Sequence, residues 1–174
     1  GAQAAIDAVR MRLGSGPLVA PGRPVIASIG FHLGRLAPPY SFRGHVADRM
    51  DFIADKTSMY TSQAFLRGYV RHHRHGLVRL LRKLNRVTGV VVIAPPDVSA
   101  APNYGAMRRC IVEMIRESSI TVYDPCETGR FSMLHPLPDE YLAEDRVHGN
   151  PRYGAELVAE MLAAGVIPGR AEAA

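Results

Sequence analysis

Residues 89–96 read Gly-Val-Val-Val-Ile-Ala-Pro-Pro, and this run decides the fold class of the chain. Four consecutive β-branched residues between a glycine and two prolines are typical of a strand buried on both faces of a parallel sheet. Two shorter runs have the same character: residues 24–29, which Gly30 follows, and residues 120–123, which an aspartate and a proline follow. The sequence therefore predicts three parallel strands.

Helical patterns separate these strands. Apolar residues recur at three- and four-residue steps over residues 57–86, where a break or kink is expected near Gly76. The same pattern recurs over residues 103–117. Residues 43–56 are mixed and charged, and we expect them to form a surface excursion.

The last helix is predicted to begin after Asn150, because asparagine commonly caps helices and Pro151 suits the first turn. Gly165 is expected to end this helix. Residues 1–14 are expected to form a first amphipathic helix. Strands that alternate with helices predict an α/β fold with a parallel sheet and helices on both faces, in a flavodoxin-like three-layer arrangement.

Length and composition bound the class of protein. A chain of 174 residues is expected to form one domain, and no apolar run approaches the roughly 20 residues of a membrane span. Cys110 and Cys126 have no metal-ligand spacing and are expected to be reduced thiols in a cytoplasmic protein. No glycine-rich phosphate or dinucleotide motif occurs, so we expect no cofactor. His72 and His75 could share a helix face, but no nearby Asp, Glu or Cys completes a site, so we expect no metal.

The net charge of +5 is concentrated between Arg67 and Arg86. A basic segment can indicate contacts with nucleic acid. Leucine and valine recur at helical spacing through the same segment, however, which places the cations on the solvated side of an amphipathic helix. We therefore do not expect nucleic acid to be a specific partner.

Polar residues follow the predicted strands at their carboxyl ends, where parallel α/β sheets form their ligand crevice. Asp97 and Asp124 come shortly after two of these strands, and Gly30 follows the third. Asp145 stands three residues before His148, immediately ahead of the last helix. This spacing allows a carboxylate to orient an imidazole, and an oriented imidazole can serve as a general base.

The order of these features resembles that of the SGNH (GDSL-type) hydrolases over roughly residues 88–165. In that family a strand ending in prolines, a helix, a strand ending in aspartate and an Asp-x-x-His block precede the last helix. The resemblance implies that His148 is the general base and Asp145 its orienting carboxylate. It also implies a serine esterase, acyl-ester hydrolase or acyltransferase whose substrate is a small-molecule or carbohydrate acyl ester.

The chain departs from this family in lacking Gly-Asp-Ser, the block that carries the nucleophile. None of its serines stands in a Gly-x-Ser-x-Gly elbow either. One explanation takes residues 24–30 as the family's first strand. The nucleophile is then lost, and residues 1–174 form a whole domain that binds a ligand without catalysis.

The second explanation, which we prefer, takes residues 24–30 as the family's third strand, because the three strands found here match the last three of the family's five. Gly30 and His32 then occupy the Gly-x-Asn block, and His32 donates to the oxyanion. Arg35, one turn further on, would meet an anionic group of the substrate. Residues 1–174 would be the C-terminal portion of a domain lacking its first two strands, and a second polypeptide would supply those strands and the serine.

Overall fold

The computed structural model describes residues 2–13, 19, 21, 24–28, 31, 33–36, 42, 44–55, 57–98, 102–134 and 136–167. Within these ranges no helix has the length and apolar character needed to cross a membrane. The elements in chain order are α1 (Ala2–Leu13), β1 (Val25–Ala27), α2 (Leu33–Leu36), β2 (His45–Val46), α3 (Arg49–Ala54), β3 (Met59–Tyr60), α4 (Gln63–Val87), β4 (Val90–Ile93), α5 (Pro102–Arg116), β5 (Thr121–Tyr123) and α6 (Pro151–Ala163). Two short 3₁₀ helices, Arg130–Met133 and Asp139–Tyr141, lie between β5 and α6.

The main sheet has the strand order β1-β4-β5, and all of its strands are parallel. The three predicted strands are therefore confirmed. This order also corresponds to the last three strands of the flavodoxin-like order 2-1-3-4-5.

Side-chain alternation along β4 decides which helices cover which face. Val90 and Val92 belong to one buried cluster, which includes residues of α4 and α5. Val91 belongs to a second buried cluster, which includes residues of α6, and Ile93 packs against that cluster. Because successive side chains of a strand point to opposite faces, α6 lies on the face opposite α4 and α5. The prediction of helices on both faces is confirmed.

The long basic helix differs from its prediction in two respects. It is continuous through Gly76, so the predicted break there is wrong. Gly76 is exposed and has open space around it, while Val70 and Leu81 hold the helix to the core on either side. The helix also begins later than predicted, because the side chain of Ser62 accepts a hydrogen bond from the Phe65 N–H and caps its first turn.

The excursion predicted over residues 43–56 contains regular structure. Strands β2 and β3 pair in parallel, and α3 lies between them in the chain. Asn103, at the start of α5, joins this helix to β2, since its side-chain amide donates to the carbonyl oxygen of His45 at 2.8 Å. Strands of two residues are too short to show periodicity in a sequence, and we therefore did not predict them.

A buried ion pair joins the ends of the sheet to α5. The side chains of Arg108 and Asp124 are 7% and 1% exposed. Arg108 donates to both carboxylate oxygens of Asp124 and, through Nε, to the carbonyl oxygen of Pro95 at 2.9 Å. Burial alone would lower the pKa of Arg108, but the hydrogen bonds and charge of Asp124 raise it above its ordinary value. The pair thus fixes the carboxyl end of β5 against the segment that follows β4.

Asp124→Ala is expected to lower the free energy of unfolding by about 3–5 kcal/mol, because it leaves the buried Arg108 guanidinium without a counter-charge. The double variant Arg108→Met/Asp124→Leu is expected to cost less than Asp124→Ala alone. Arg116→Met is the matched control, since Arg116 also lies on α5 and its ion pair with Glu127, which follows β5, is exposed. This substitution is expected to cost about 0–1 kcal/mol. Urea unfolding measures all three, and equal costs for Asp124→Ala and Arg116→Met would contradict the role of burial.

Candidate functional site

The loop before α6 closes on itself and presents Asp145 and His148 at its tip. Leu142 and Gly149 form an antiparallel bridge, and the Ala143 N–H donates to the carbonyl oxygen of His148 at 2.8 Å. Between them Arg146 has a φ of +55°, a left-handed conformation that costs a residue other than glycine about 1–2 kcal/mol. The closed hydrogen bonding of the loop holds this conformation in place.

The two predicted catalytic residues are hydrogen-bonded to each other. Asp145 Oδ2 lies 2.6 Å from His148 Nδ1. A carboxylate only accepts hydrogen bonds, so Nδ1 carries the proton and Nε2 of the neutral ring has a free lone pair. Asp145 Oδ1 also accepts hydrogen bonds from the backbone N–H groups of Val147 and His148, each at 3.0 Å. The pair has the tautomer and orientation that a general base requires.

These hydrogen bonds also set the charge state of the carboxyl group. The hydrogen bond from the His148 side chain, followed by those from the two backbone N–H groups, lowers the pKa of Asp145 from 3.8 to about 2. Asp145 is therefore ionised at any pH at which a histidine base works. An ionised partner stabilises the imidazolium that forms when His148 takes up a proton.

The imidazole faces outward from the described part of the chain. The side chains of His148 and Asp145 are 76% and 52% exposed. Among the described residues, no serine or other hydroxyl group hydrogen bonds to Nε2 of His148. A substrate or a second polypeptide therefore has access to the nitrogen that would act as the base.

Aromatic packing beneath the loop holds it in place. The Tyr153 ring packs against Phe131 at a centroid distance of 4.8 Å, and Phe131 packs against Tyr141 at 5.2 Å. A Cβ at Gly149 would lie 2.3 Å from Cδ1 of Tyr153, so only glycine lets the loop approach this ring so closely. The residue beside His148 is thus set by packing against the first turn of α6.

Asn150 connects the loop to the helix in two directions. Its Oδ1 accepts a hydrogen bond from the Tyr153 N–H at 3.0 Å and caps α6, as predicted. Its Nδ2 donates to the carbonyl oxygen of Glu140 at 2.8 Å, a contact the sequence did not reveal. One side chain therefore fixes both the start of α6 and the segment before the loop of Asp145 and His148.

The same segment is tied to the carboxyl end of β4. The Leu137 N–H donates to the carbonyl oxygen of Asp97 at 2.9 Å. The hydroxyl group of Tyr153, in the first turn of α6, is buried and has no hydrogen-bond partner among the described residues. Burial raises the pKa of Tyr153 well above its ordinary value, so this hydroxyl stays protonated.

The predicted oxyanion and substrate residues lie largely outside the described part of the chain. Gly30 and His32 are not among the described residues. Arg35 lies in α2, and only its backbone is described. Their roles therefore remain predictions. The neighbouring Phe31 is buried in the cluster shared with α4 and α5.

Cys110 is buried, Cys126 is partly buried, and neither forms a disulfide. In the described ranges, no three or more His, Cys, Asp or Glu side chains form a group that could hold a metal ion.

Comparison of the chain with protein-family models, curated proteins and solved structures finds no match.

The pKa of Asp145 provides a test of the pair. By NMR titration its carboxyl carbon is expected to show a midpoint near 2 in the native protein. In His148→Ala the midpoint should move up toward 3.8, because the largest cause of the shift is removed.

The stability of the protein should change with pH in the same window. As the pH falls from about 4 to about 2, the unfolded chain takes up this proton before the folded chain does. The contribution of Asp145 to stability is therefore present above pH 4 and is lost toward pH 2. In the NMR titration, an unchanged midpoint of Asp145 in His148→Ala would show that the hydrogen bond between Asp145 and His148 Nδ1 does not form in solution.

Proposed function

We propose that Asp145 and His148 are the acid and base of an SGNH (GDSL-type) serine esterase or acyltransferase. The observation that supports this most directly is the 2.6 Å contact of Asp145 Oδ2 with His148 Nδ1. It makes Nε2 the ring nitrogen that can take up a proton, on a side chain that is 76% exposed. The position of the pair immediately before α6, after strands in the order expected of the family, supports the same assignment. The substrate would be an acyl ester of a small molecule or a carbohydrate.

In this proposal His148 transfers a proton twice. Nε2 accepts the proton of a serine hydroxyl as its oxygen attacks the ester carbonyl, and Asp145 stabilises the resulting imidazolium. His148 then gives that proton to the departing alkoxide, which leaves an acyl-serine and an alcohol. Water, or the hydroxyl of an acceptor, attacks the acyl-serine with His148 again as base, and the serine is regenerated.

Backbone and side-chain donors must stabilise the negative charge on the carbonyl oxygen during each attack, and each donor typically contributes roughly 3–4 kcal/mol. The residues proposed for this role are Gly30 and His32, which follow β1 in the sequence. Arg35 is proposed to contact an anionic group of the substrate. No cofactor or metal takes part in this mechanism.

The serine is proposed to come from a second polypeptide that extends the sheet beyond β1. In a parallel sheet, successive residues of a strand direct their backbone N–H and C=O groups to opposite sides of the strand. In the register of β1 with β4, the N–H and C=O of Ile26 point away from β4. The side chain of Ile26 is 48% exposed although it belongs to a sheet strand. Among the described residues, no strand other than β4 pairs with β1. An unpaired strand edge beside an exposed apolar side chain is suited to pairing with a further strand.

The alternative function is that of a catalytically inactive SGNH-like module that binds a carbohydrate or acyl ligand. The observation that favours it is that no described hydroxyl group reaches Nε2 of His148. In this case the pair would hydrogen bond a ligand without transferring its acyl group.

A fluorophosphonate probe separates these functions, because it forms a covalent bond only with a serine that a base has activated. Protein isolated from its native source is expected to give a labelled serine on a polypeptide other than this chain. His148→Ala is expected to abolish the labelling, and Asp145→Asn to slow ester hydrolysis by up to ~10⁴-fold. Glu117→Gln is the control, since it removes an exposed carboxylate that pairs with Arg71 of α4 and leaves the loop of Asp145 and His148 unchanged.

Equal labelling of the native protein and His148→Ala would contradict the catalytic role of His148. A labelled serine on this chain itself would contradict the proposal that a second polypeptide supplies it. Ligand binding without any labelled serine would support the inactive module.

Ile26→Lys tests where the serine-bearing polypeptide binds. The substitution is expected to abolish copurification of that polypeptide, because it places a charge beside the strand edge. The free energy of unfolding of the isolated chain should change little, by about 0.5 kcal/mol, since the side chain is half exposed. Val158→Lys is the control, because Val158 is similarly exposed, at 44%, but lies on α6. Copurification of Ile26→Lys at the native level would exclude the β1 edge as the contact.

A further inference from the structure

The C-terminal half of α4 carries four exposed cations: Arg79, Arg82, Lys83 and Arg86. Their spacing of three, four and seven residues brings them onto the outer side of the helix, opposite the buried Leu81. No aspartate or glutamate occurs anywhere in the 25 residues of α4. We call these four residues, with the exposed Leu80 and Val87 beside them, the α4 basic face.

Ion pairing divides α4 into two halves. In the N-terminal half, Arg67 pairs with Glu113 of α5 at 2.9 Å, and Arg71 approaches Glu117 at 3.5 Å. In the part of the chain that the structure describes, none of the four cations of the basic face has an acidic partner. A concentrated positive charge is therefore available to an external anion.

The helix dipole explains only part of this charge. The negative end of a helix attracts cations, but the effect falls off within the last turn. Of the four, Arg86 lies in that turn, whereas Arg79 lies two turns from the end. The helix dipole therefore does not account for the cations that lie more than one turn from the C-terminal end of α4.

Two exposed apolar side chains lie along one flank of the cations. Leu80 is 48% exposed and Val87 is 50% exposed. Both lie roughly 90° around the helix from Arg79, on one flank of the cationic strip next to Lys83. A basic surface therefore borders an exposed apolar one. Helices that lie in the plane of a membrane surface combine basic and large apolar side chains in this way.

We propose that the α4 basic face binds the surface of an anionic lipid bilayer. The four cations would contact the headgroup phosphates and carboxylates, while Leu80 and Val87 enter the boundary between headgroups and acyl chains. Helix α4 packs alongside α5, as its ion pairs with Glu113 and Glu117 show, and it therefore presents a broad surface. That shape fits a planar array of anionic groups.

Nucleic acid fits this surface less well. A helix that reads duplex DNA inserts into the major groove, whereas α4 lies in a layer between the sheet and solvent, with α5 at its side. Binding of single strands uses aromatic side chains on which bases stack. Residues 76–87 contain no aromatic residue.

The basic face contains neither Asp145 nor His148, so lipid binding and ester hydrolysis can be measured and lost separately. The proposal therefore does not depend on the proposed function. If the lipid-binding proposal fails, the proposed ester hydrolysis is unaffected, and the reverse also holds.

Co-sedimentation with vesicles tests the proposal. The protein is expected to sediment with vesicles in which phosphatidylserine replaces part of the phosphatidylcholine, to remain in solution with phosphatidylcholine alone, and to be released by salt. Each basic residue near such a surface contributes about 1 kcal/mol, so each neutralised cation should weaken binding about fivefold. The variant Arg79→Gln/Arg82→Gln/Lys83→Gln/Arg86→Gln should therefore lose several hundredfold, by roughly the product of these factors.

The matched control is Arg67→Gln/Arg71→Gln/Arg146→Gln/Arg152→Gln. It removes the same number of exposed cations, but each of these is ion-paired in the native protein. The control should bind the anionic vesicles much more tightly than the basic-face variant. A second variant, Leu80→Ser/Val87→Ser, keeps every charge and should also bind the vesicles less tightly.

Circular dichroism establishes that each variant is folded before binding is compared. Equal loss of binding in the basic-face variant and the control would show that net charge alone is responsible, and would overturn the proposal. Equal binding of the native protein to both kinds of vesicle would overturn it as well. So would binding of duplex DNA by the basic face together with no sedimentation with anionic vesicles.

Discussion

Burial of β4 on both faces is the constraint on which the rest of the structure depends. The strand consists of four β-branched residues, and none of them can face water without losing the favourable free energy of apolar burial. Helices must therefore cover the sheet on both sides. Helices α4 and α5 cover one face, and α6 covers the other. The position of α6 in turn determines where the loop with Asp145 and His148 lies.

The candidate site combines a local arrangement with distant support. The contacts between Asp145 and His148 all lie within four residues of the chain. The orientation of that loop depends on Tyr153 and Asn150 at the start of α6, and on the 3₁₀ segment that Asn150 contacts. A pair of this kind is formed by sequence-local hydrogen bonds but acts only where the surrounding packing places it.

The proposed reaction and the proposed lipid surface use different parts of the molecule. The base lies in the loop before α6, while the basic face lies on α4, on the opposite side of the sheet. The exposed edge of β1 is a third surface, which belongs to the sheet itself. The chain thus presents one exposed Asp145–His148 pair, proposed as acid and base, and two surfaces proposed to bind external partners.

The sequence by itself determined the three parallel strands, the helices that alternate with them and the cap of α6 at Asn150. These features depend on periodicity, β-branched composition and capping, which are properties of neighbouring residues. The Asp145–His148 pair was also predictable, because a spacing of three residues within one loop lets the side chains meet without help from distant elements.

Only the tertiary structure decided the remaining features. The small sheet of β2 and β3, the continuity of α4 through Gly76 and the ion pair of Arg108 with Asp124 all depend on contacts between residues distant in sequence. The same holds for Gly149, which must be glycine because the Tyr153 ring lies against it. Such contacts form only when folded elements pack together. The periodicity and composition of neighbouring residues do not indicate which side chains from distant parts of the sequence will contact each other.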